Sequence, residues 1–305
     1  MRVIKTNNLS SKVNQENKPL IAIWGFFDGW HLGHQALLTK MIKIAKDNHY
    51  QTLVISFDVK PQNILLQKEF PIILNNQDKI AFLTNKNINY YCQLTFSQEL
   101  AQTSAENFIK WLLNNDVRAV VVNKDVHFGA KGQGDLKTLQ DSQLRVFLSQ
   151  DVYDQNQQKI SSSYIKGLLE KKEIVHANSL LATKYTLTGK VVDGIKEART
   201  LGFPTANLEL TNNYVIPGVA TYISRTEVDN KWYQSMTVVI IRNNKPLVES
   251  YLLDFKQNIY GKTIKTQFLN YLRDNINFSS KEALIEQIKS DLKNTIAYFK
   301  KTKIS

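Results

Sequence analysis

Apolar positions in the first half of the chain follow two alternating rhythms. Leu20–Trp24 (LIAIW), Thr52–Phe57 (TLVISF) and Val117–Val122 (VRAVVV) are short, nearly continuous apolar runs, and Leu144–Leu148 is a weaker one. Such runs read as strands covered on both faces. Between them, Leu37, Leu38, Met41, Ile42 and Ala45 recur at helical spacing within Gly33 to Lys46. Gln77–Leu83 and Ser104–Leu113 are further helices, the second with Thr103 and Glu106 spaced as a capping box. The alternation predicts an α/β domain, a parallel sheet covered by helices. Met1 to Lys18 is polar and reads as a frayed or extended lead-in without a signal-peptide core.

The pattern changes near Ala182–Thr188. Beyond it lie Tyr185–Val192, Val219–Arg225, Trp232–Ile241 and Pro246–Phe255, short β-type segments separated by turn signals at Asp193-Gly194, Pro217-Gly218 and Asn243-Asn244. That spacing predicts a small antiparallel barrel. The chain closes with a helix, about Ser280–Phe299. Leu284, Ile288, Leu292 and Ile296 form its apolar stripe, expected to pack on the core, and Ser279 with Glu282 is its expected capping box. Two domains follow, 1–183 and 184–305, in keeping with a 305-residue chain.

Composition narrows the function classes. The lone cysteine, Cys92, excludes a disulfide within the chain and points to a reducing cytoplasm. No apolar run approaches the ~20 residues that a bilayer requires. The net charge of +12 attracts polyanions, but the lysines are scattered rather than gathered in one stripe. A solvated basic surface is therefore expected, without specific nucleic-acid binding and without a membrane partner.

The richest stretch for chemistry is Gly25-Phe26-Phe27-Asp28-Gly29-Trp30-His31-Leu32-Gly33-His34. It falls directly between the first strand and the first helix, where open α/β sheets bind ligands. A helix N-terminus offers free N–H groups and a positive dipole end to phosphate. Gly25, Gly29 and Gly33 allow close backbone approach, and His31 and His34 can donate hydrogen bonds to phosphate oxygens. Zinc is the competing reading of the two histidines, but no cysteine or further histidine lies near them in sequence.

The H-x-G-H element, in its extended form from Gly25 to Gln35, resembles the bacterial bifunctional riboflavin kinase/FMN adenylyltransferases (FAD synthetases). The resemblance implies a Rossmann-like nucleotidyltransferase domain in which His31 and His34 contact ATP phosphates while Gly25, Asp28 and Gly33 shape the site. Ser56-Phe57-Asp58-Val59-Lys60-Pro61 is similar to the family's S-F-D-P-H-P, with Val59 and Lys60 in place of its Pro and His. Val122 to Gly129, with Gly132, Gly134 and Asp135, is similar to G-x-D-F-x-F-G…G-D; Asn123 stands for its Gly and Val126 for a Phe. There the resemblance places Asp125 and Phe128 near nucleotide or flavin. Ile160-Ser161-Ser162-Ser163-Tyr164-Ile165-Lys166 is similar to I-S-S-T-x-x-R, which implies that Ser161, Ser162, Ser163 and Lys166 grip the β- and γ-phosphates. Taken alone, three serines before a helix are an N-cap.

In the second half, Thr205 and Asn207 lie two residues apart after Pro204, so an extended backbone points both oxygen-bearing side chains to one side. Hard oxygens suit Mg²⁺ if ATP phosphates complete the shell. Thr200 to Leu208 is similar to the riboflavin kinase signature L-G-x-P-T-A-N-L, and Val248 to Phe255 to the family's E-x-x-L-L-D-F, where the resemblance makes Glu249 the base for the riboflavin 5′-hydroxyl. Phe268 to Asp274 is similar to F-L-x-x-L-R and puts Arg273 near flavin and nucleotide; a surface ion pair is its other reading. Two segments depart from the family: Ile195-Lys196-Glu197-Ala198, where a Gly- and Arg-containing turn is usual, and Val239 to Pro246, which lacks N-I-G-x-x-P-T-F and is shorter. The expected function is FAD biosynthesis: riboflavin and ATP give FMN, then FMN and ATP give FAD and pyrophosphate, with Mg²⁺, ATP, FMN and riboflavin as cofactor and substrates, and flavoproteins as recipients of FAD. A barrel that only binds flavin is the alternative, and a non-enzymatic flavin or nucleic-acid binder a more distant one.

Overall fold

The computed structural model describes residues 1–194 and 202–303. Ile195-Lys196-Glu197-Ala198, and Thr200 and Leu201 of the kinase signature, lie outside the described residues. Two compact units form: Met1–Phe70 with Leu74–Ser162, and Pro71–Ile73 with Ser163–Ser305.

The first unit contains β1 (Arg2–Thr6), β2 (Leu20–Trp24), α1 (Leu32–Asp47), β3 (Gln51–Phe57), α2 (Pro61–Leu65), α3 (Asn76–Thr84), β4 (Tyr90–Leu94), α4 (Gln98–Ala101), α5 (Ala105–Asn114), β5 (Val117–Val122), α6 (Leu136–Gln140) and β6 (Arg145–Leu148). All pairings in its sheet are parallel, in the order β1-β4-β3-β2-β5-β6. Leu20, Ile21, Ala22, Ile23, Leu53, Val54, Ile55 and Val120 are fully buried, as continuous apolar strands between two layers of helices must be. The chain runs outward from β2 through β3 to β4, then returns to pair β5 on the other side of β2. The reversal opens a crevice at the carboxyl ends of β2 and β5, the place where such sheets take ligands.

The expected α/β sheet is present with two strands more than the apolar runs announced. β1 lies in the polar lead-in: it is an edge strand held to β4 by backbone pairing, so Arg2 and Lys5 stay in solvent. β4 hides Gln93 and Cys92 among tyrosines and shows no apolar run. One cap also shifts. Ser104, not Thr103, caps α5, accepting from the Asn107 N–H at 3.2 Å.

The second unit contains α7 (Ser162–Glu170), α8 (Ile174–Leu180), β7 (Thr186–Val192), β8 (Ala206–Leu210), β9 (Ala220–Val228), β10 (Lys231–Arg242), β11 (Lys245–Leu252), β12 (Thr263–Arg273) and α9 (Lys281–Thr302). Its strands close an antiparallel barrel in the order β10-β11-β8-β7-β12-β9. α8 packs with the barrel: the Asn178 side chain donates to the Phe268 carbonyl at 2.8 Å and accepts from the Tyr185 N–H at 2.7 Å. The segment that departs from the family, Val239 to Pro246, is a tight hairpin between β10 and β11. Asn243 and Asn244 both take left-handed backbone angles (φ 49° and 58°), the requirement of a two-residue hairpin turn.

α9 meets the barrel through a different face from the one its apolar residues predict. Asp291, Thr295 and Phe299 are its buried residues, whereas Ile296 is 40% exposed. Asp291 draws the helix round by binding Arg273 of β12. The cap is Ser280, which accepts from the Ala283 N–H at 3.1 Å, rather than Ser279.

The barrel lumen is polar at its centre. Ser224, Thr226, Ser235, Thr237, Ser250 and Thr266 are fully buried. Their hydroxyls form a closed ring: Ser224–Ser235 2.7 Å, Ser235–Thr226 2.9 Å, Thr226–Thr266 3.3 Å, Thr266–Ser250 3.3 Å, Ser250–Thr237 2.8 Å and Thr237–Ser224 2.7 Å. A hydroxyl carries one donor, so a ring in which every member donates once and accepts once leaves no donor unpaired.

Candidate active sites

The Gly25–His34 loop is a strained turn. Phe27 (φ 52°), Gly29 (φ 84°) and Trp30 (φ 43°) all lie in the left-handed region, and only the glycine does so freely. Packing sustains the strain: Phe27 and Trp30 stack with ring centroids 4.5 Å apart. Asp28 is buried, and its Oδ1 accepts the Leu74 N–H at 3.1 Å while its carbonyl accepts the Ser162 hydroxyl at 3.0 Å. The turn delivers His31 to the N-cap of α1 and His34 to its first turn. Their rings stack 3.6 Å apart. A Cβ on Gly33 would stand 3.2 Å from the His31 ring, so glycine there leaves the ring its place.

Both histidines are neutral at physiological pH. Burial lowers His31 from the ordinary 6.5 to about 4, against a smaller upward pull from Asp28. Burial, then His31 and Lys79, hold His34 well below its usual range. The Nδ1 atoms of both are buried without a hydrogen-bond partner.

A cleft of about 270 Å³ is lined by His31, Gly33, His34, Asn123, Asp125, Asp151, Lys159, Ser161 and Ser162, among others. Six residues expected at the nucleotide site from sequence are thus brought together: His31, Gly33, His34, Asp125, Ser161 and Ser162. Gly25 and Phe128 line a second cavity of about 600 Å³, with Trp24, Phe57, Phe96 and Phe108. Phe128 meets Trp24 edge-on at 5.7 Å. Asn123 and Asp125 line both cavities. Ser163 and Lys166 line neither cavity; the Lys166 ammonium donates to the Pro71 carbonyl.

Three of the named lining residues, Lys159, Asp151 and Asn123, carried no site expectation from sequence. Lys159 bridges Asp125 and Asp151, each at 2.9 Å, and these contacts raise its pKa and lower that of Asp125. In sequence it is one lysine after two glutamines; its place directly before Ile160-Ser161-Ser162 was the available signal. Asn123 has a buried Oδ1 without a partner. Its signal was a polar residue ending a buried strand beside the reversal point. Cys92 is fully buried, and burial pushes its thiol up to about 12, so it is chemically quiet.

In the barrel, β8 and β11 pair Asn207 with Glu249, and the Thr205 hydroxyl donates to Glu249 Oε2 at 3.1 Å. Thr205 and Asn207 line a cavity of about 430 Å³ with Pro204, Phe255 and Lys256. The Asn207 Oδ1 is buried without a partner, and a Cβ on Gly194 would meet its side-chain nitrogen at 2.2 Å, so only glycine fits that turn. Among the described residues no cluster of His, Cys, Asp and Glu forms a metal cage, for zinc or otherwise. Arg273 is committed elsewhere. Its Nε and Nη2 hold the Asp291 carboxylate at 2.7–3.0 Å, and its Nη1 donates to the Asp274 carbonyl at 2.8 Å.

A parallel sheet with a phosphate-sized cleft at its reversal point, followed by a closed barrel with its own oxygen cluster, defines a two-domain nucleotide-using transferase. Comparison with known proteins specifies it. The FAD synthetase family matches residues 13–164 and the riboflavin kinase family residues 181–299. The bifunctional riboflavin kinase/FMN adenylyltransferase of Bacillus subtilis is 30% identical over 98% of both chains, and that of Listeria monocytogenes 31% identical over 91% of both. A crystal structure described as a macrolide-efflux protein from Streptococcus pneumoniae is similar across 96% of this chain and 98% of its own, with TM-score 0.87 and 26% identity. Among the described residues no helix is long and apolar enough to cross a membrane. The chain belongs to the bifunctional riboflavin kinase/FMN adenylyltransferase family.

Proposed function

We propose that this chain makes FAD in two ATP-dependent steps, phosphorylating riboflavin in the barrel and adenylylating FMN at the sheet. The observation that carries the reading is the pair of adjoining cavities sharing Asn123 and Asp125. The larger has the size and aromatic lining of a flavin pocket, and the smaller has the donors of a phosphate site. FMN seated across the junction would present its phosphate to the α-phosphorus of ATP. A phosphate oxygen of FMN forms the new P–O bond while the bond to pyrophosphate breaks.

His31 and His34 then act as neutral N–H donors to the charge that develops, fixed in place beforehand by stacking and burial. Ser161, Gly33 and the free N–H groups of α1 supply further contacts, and Lys159 and Asn123 join the set. Asp28 works as a positioning residue, since its carboxylate holds the loop to Leu74. Arg273 is read as a structural partner of Asp291 instead of a flavin contact. Ser163 and Lys166 remain phosphate contacts by resemblance alone.

In the barrel, Glu249 takes the proton of the riboflavin 5′-hydroxyl as that oxygen attacks the γ-phosphorus of ATP. The partnerless Asn207 Oδ1 beside Thr205 fits a hard cation, so these two would hold Mg²⁺ together with ATP phosphates. Bound there, Mg²⁺ would neutralise phosphate charge. Functional division at about residue 183, a cytosolic location and delivery of FAD to flavoproteins belong to the same proposal. The test is a chromatographic product assay with Mg-ATP, run separately on riboflavin and on FMN. FMN followed by FAD from riboflavin is expected; FAD from FMN alone would establish a barrel without kinase activity.

A further inference from the structure

The hydropathy of β10 and β11 chooses the face that meets the lumen but not the alignment along the strands. Thr237 is the only polar residue between Met236 and Ile241, and Val248 and Leu252 flank Ser250 on the buried face of β11. A shift of β11 by one residue would turn every side chain to the opposite face and carry Glu249 and Tyr251 into the lumen, which the charge of Glu249 opposes by itself. A shift of two residues keeps each side chain on its face, and in an apolar lumen it would exchange one aliphatic side chain for another. It would also set Leu247 or Tyr251 opposite Asn207 in place of Glu249.

The hydroxyl ring opposes that shift. Ser250 faces Thr237 across the β10–β11 ladder and bonds to it at 2.8 Å. It also reaches Thr266 at 3.3 Å, on a strand that is not its neighbour in the barrel order, so the ring closes across the lumen. Withdrawing Ser250 breaks both bonds and strands donors in a space sealed from water. In the observed register Ser250 pairs with Ala206, and Glu249 therefore stands opposite Asn207 with the Thr205 hydroxyl on its carboxylate.

We propose that Ser250, acting through the closed hydroxyl ring, is a positioning residue for riboflavin phosphorylation, pinning β11 in the register that sets Glu249 against Asn207 and Thr205. The inference rests on the reading of Glu249 as the base. The ring acts as one circuit, so loss of any hydroxyl opens it, and a second loss elsewhere adds little.

The experiment uses the full-length enzyme and Thr237, whose neighbours in the ring are Ser224 and Ser250. Thr237→Val keeps the shape and removes the hydroxyl; Thr237→Ser keeps the hydroxyl and removes the methyl. Thr237→Val is expected to lower the kcat of FMN formation on the order of tenfold, as a displaced reacting group does. KM for riboflavin and for Mg-ATP should not change, and FAD formation from added FMN should be untouched. Thr237→Ser should keep wild-type kcat. Thr226→Val, at a hydroxyl bonded to neither Thr237 nor Ser250, should cause a similar loss, and the double variant should be little worse than either single one.

Wild-type kcat in Thr237→Val below its melting temperature would overturn the inference. So would an equal loss in Thr237→Ser, or losses that multiply in the double variant. If Thr237→Val does not fold in the barrel while FAD synthesis from FMN persists, Ser235→Ala takes its place with the same expected and overturning outcomes. Glu249→Gln separates the two readings. Unchanged kinase activity there removes Glu249 as base, whereas a collapsed Glu249→Gln beside an unaffected Thr237→Val removes only the role of the ring.

Discussion

The sheet and the barrel bury their strands in opposite ways. β2, β3 and β5 are filled with aliphatic side chains on both faces, and Leu20–Ile23 and Leu53–Ile55 are wholly inaccessible. The centre of the barrel is a ring of six hydroxyls with no access to water. The sheet obtains its order from layers of helices, which apolar contact alone can align. The barrel must choose among registers that apolar contact scarcely distinguishes, and directional hydrogen bonds make the choice. The proposed catalytic groups follow suit. His31 and His34 sit on a strained turn braced by stacked aromatics, whereas Glu249 is placed by strand register.

The contrast can be broken at its strongest points first. Glu249→Gln should lower FMN formation by about 10²–10⁴-fold, the range for a lost general base, with FAD formation from FMN unchanged. Steady-state assays on each substrate check it, and equal loss of both activities in a folded protein would remove the two-site description. His31→Ala should do the reverse, lowering FAD formation by about 10²–10³-fold, the range for a lost transition-state donor, and sparing FMN formation.

Next in size is the ion pair that seats α9. The Asp291 side chain is 2% exposed and that of Arg273 20%. Asp291→Ala leaves a guanidinium without its carboxylate and should cost about 3–5 kcal/mol of stability. Denaturant unfolding measures this, and an apolar replacement of both residues should recover most of it. A loss confined to flavin binding, without destabilisation, would return Arg273 to the active site. Phe128→Ala should raise the KM for FMN about tenfold, the scale of one aromatic contact near 1.4 kcal/mol, and leave the KM for riboflavin unchanged.

The smallest effect concerns pH. His31 is held near 4 when folded, against 6.5 ordinarily. The unfolded chain therefore takes up its proton first as pH falls. The stability contributed by the neutral imidazole is complete above about 6.5 and is lost progressively between 6.5 and 4. A matching pH profile of FAD formation should show no inflection near 6.5. An inflection there that vanishes in His31→Asn would mean that the imidazole titrates normally.

Much of this was legible along the chain. The strands β2 and β5 coincide with apolar runs, and α1, β3 and β6 fall within a residue or two of theirs. The turn bearing His31 and His34 was locatable because glycines and histidines gather between a strand and a helix. β1 and β4 were not legible, since an edge strand and a strand with an internal glutamine carry no apolar signature. β12 was hidden similarly by Lys265, Thr266, Gln267 and Asn270. The stripe of α9 misled because a buried Asp291 outbid Ile296 for the barrel face, which hydropathy ranks the other way.

The amino-acid sequence alone determined the family of chemistry, the alternating α/β architecture, the barrel and the turn that carries the proposed phosphate contacts. These depend on local patterns: apolar runs, turn residues and motif spacing within about ten positions. Only the tertiary structure decided that Lys159 and Asn123 share a cleft with the histidines, that Arg273 binds Asp291 of α9, and that six scattered serines and threonines close a ring. Each of these depends on side chains brought together from distant positions, and in a chain of alternatives a lone lysine, asparagine or serine carries no record of its eventual neighbour.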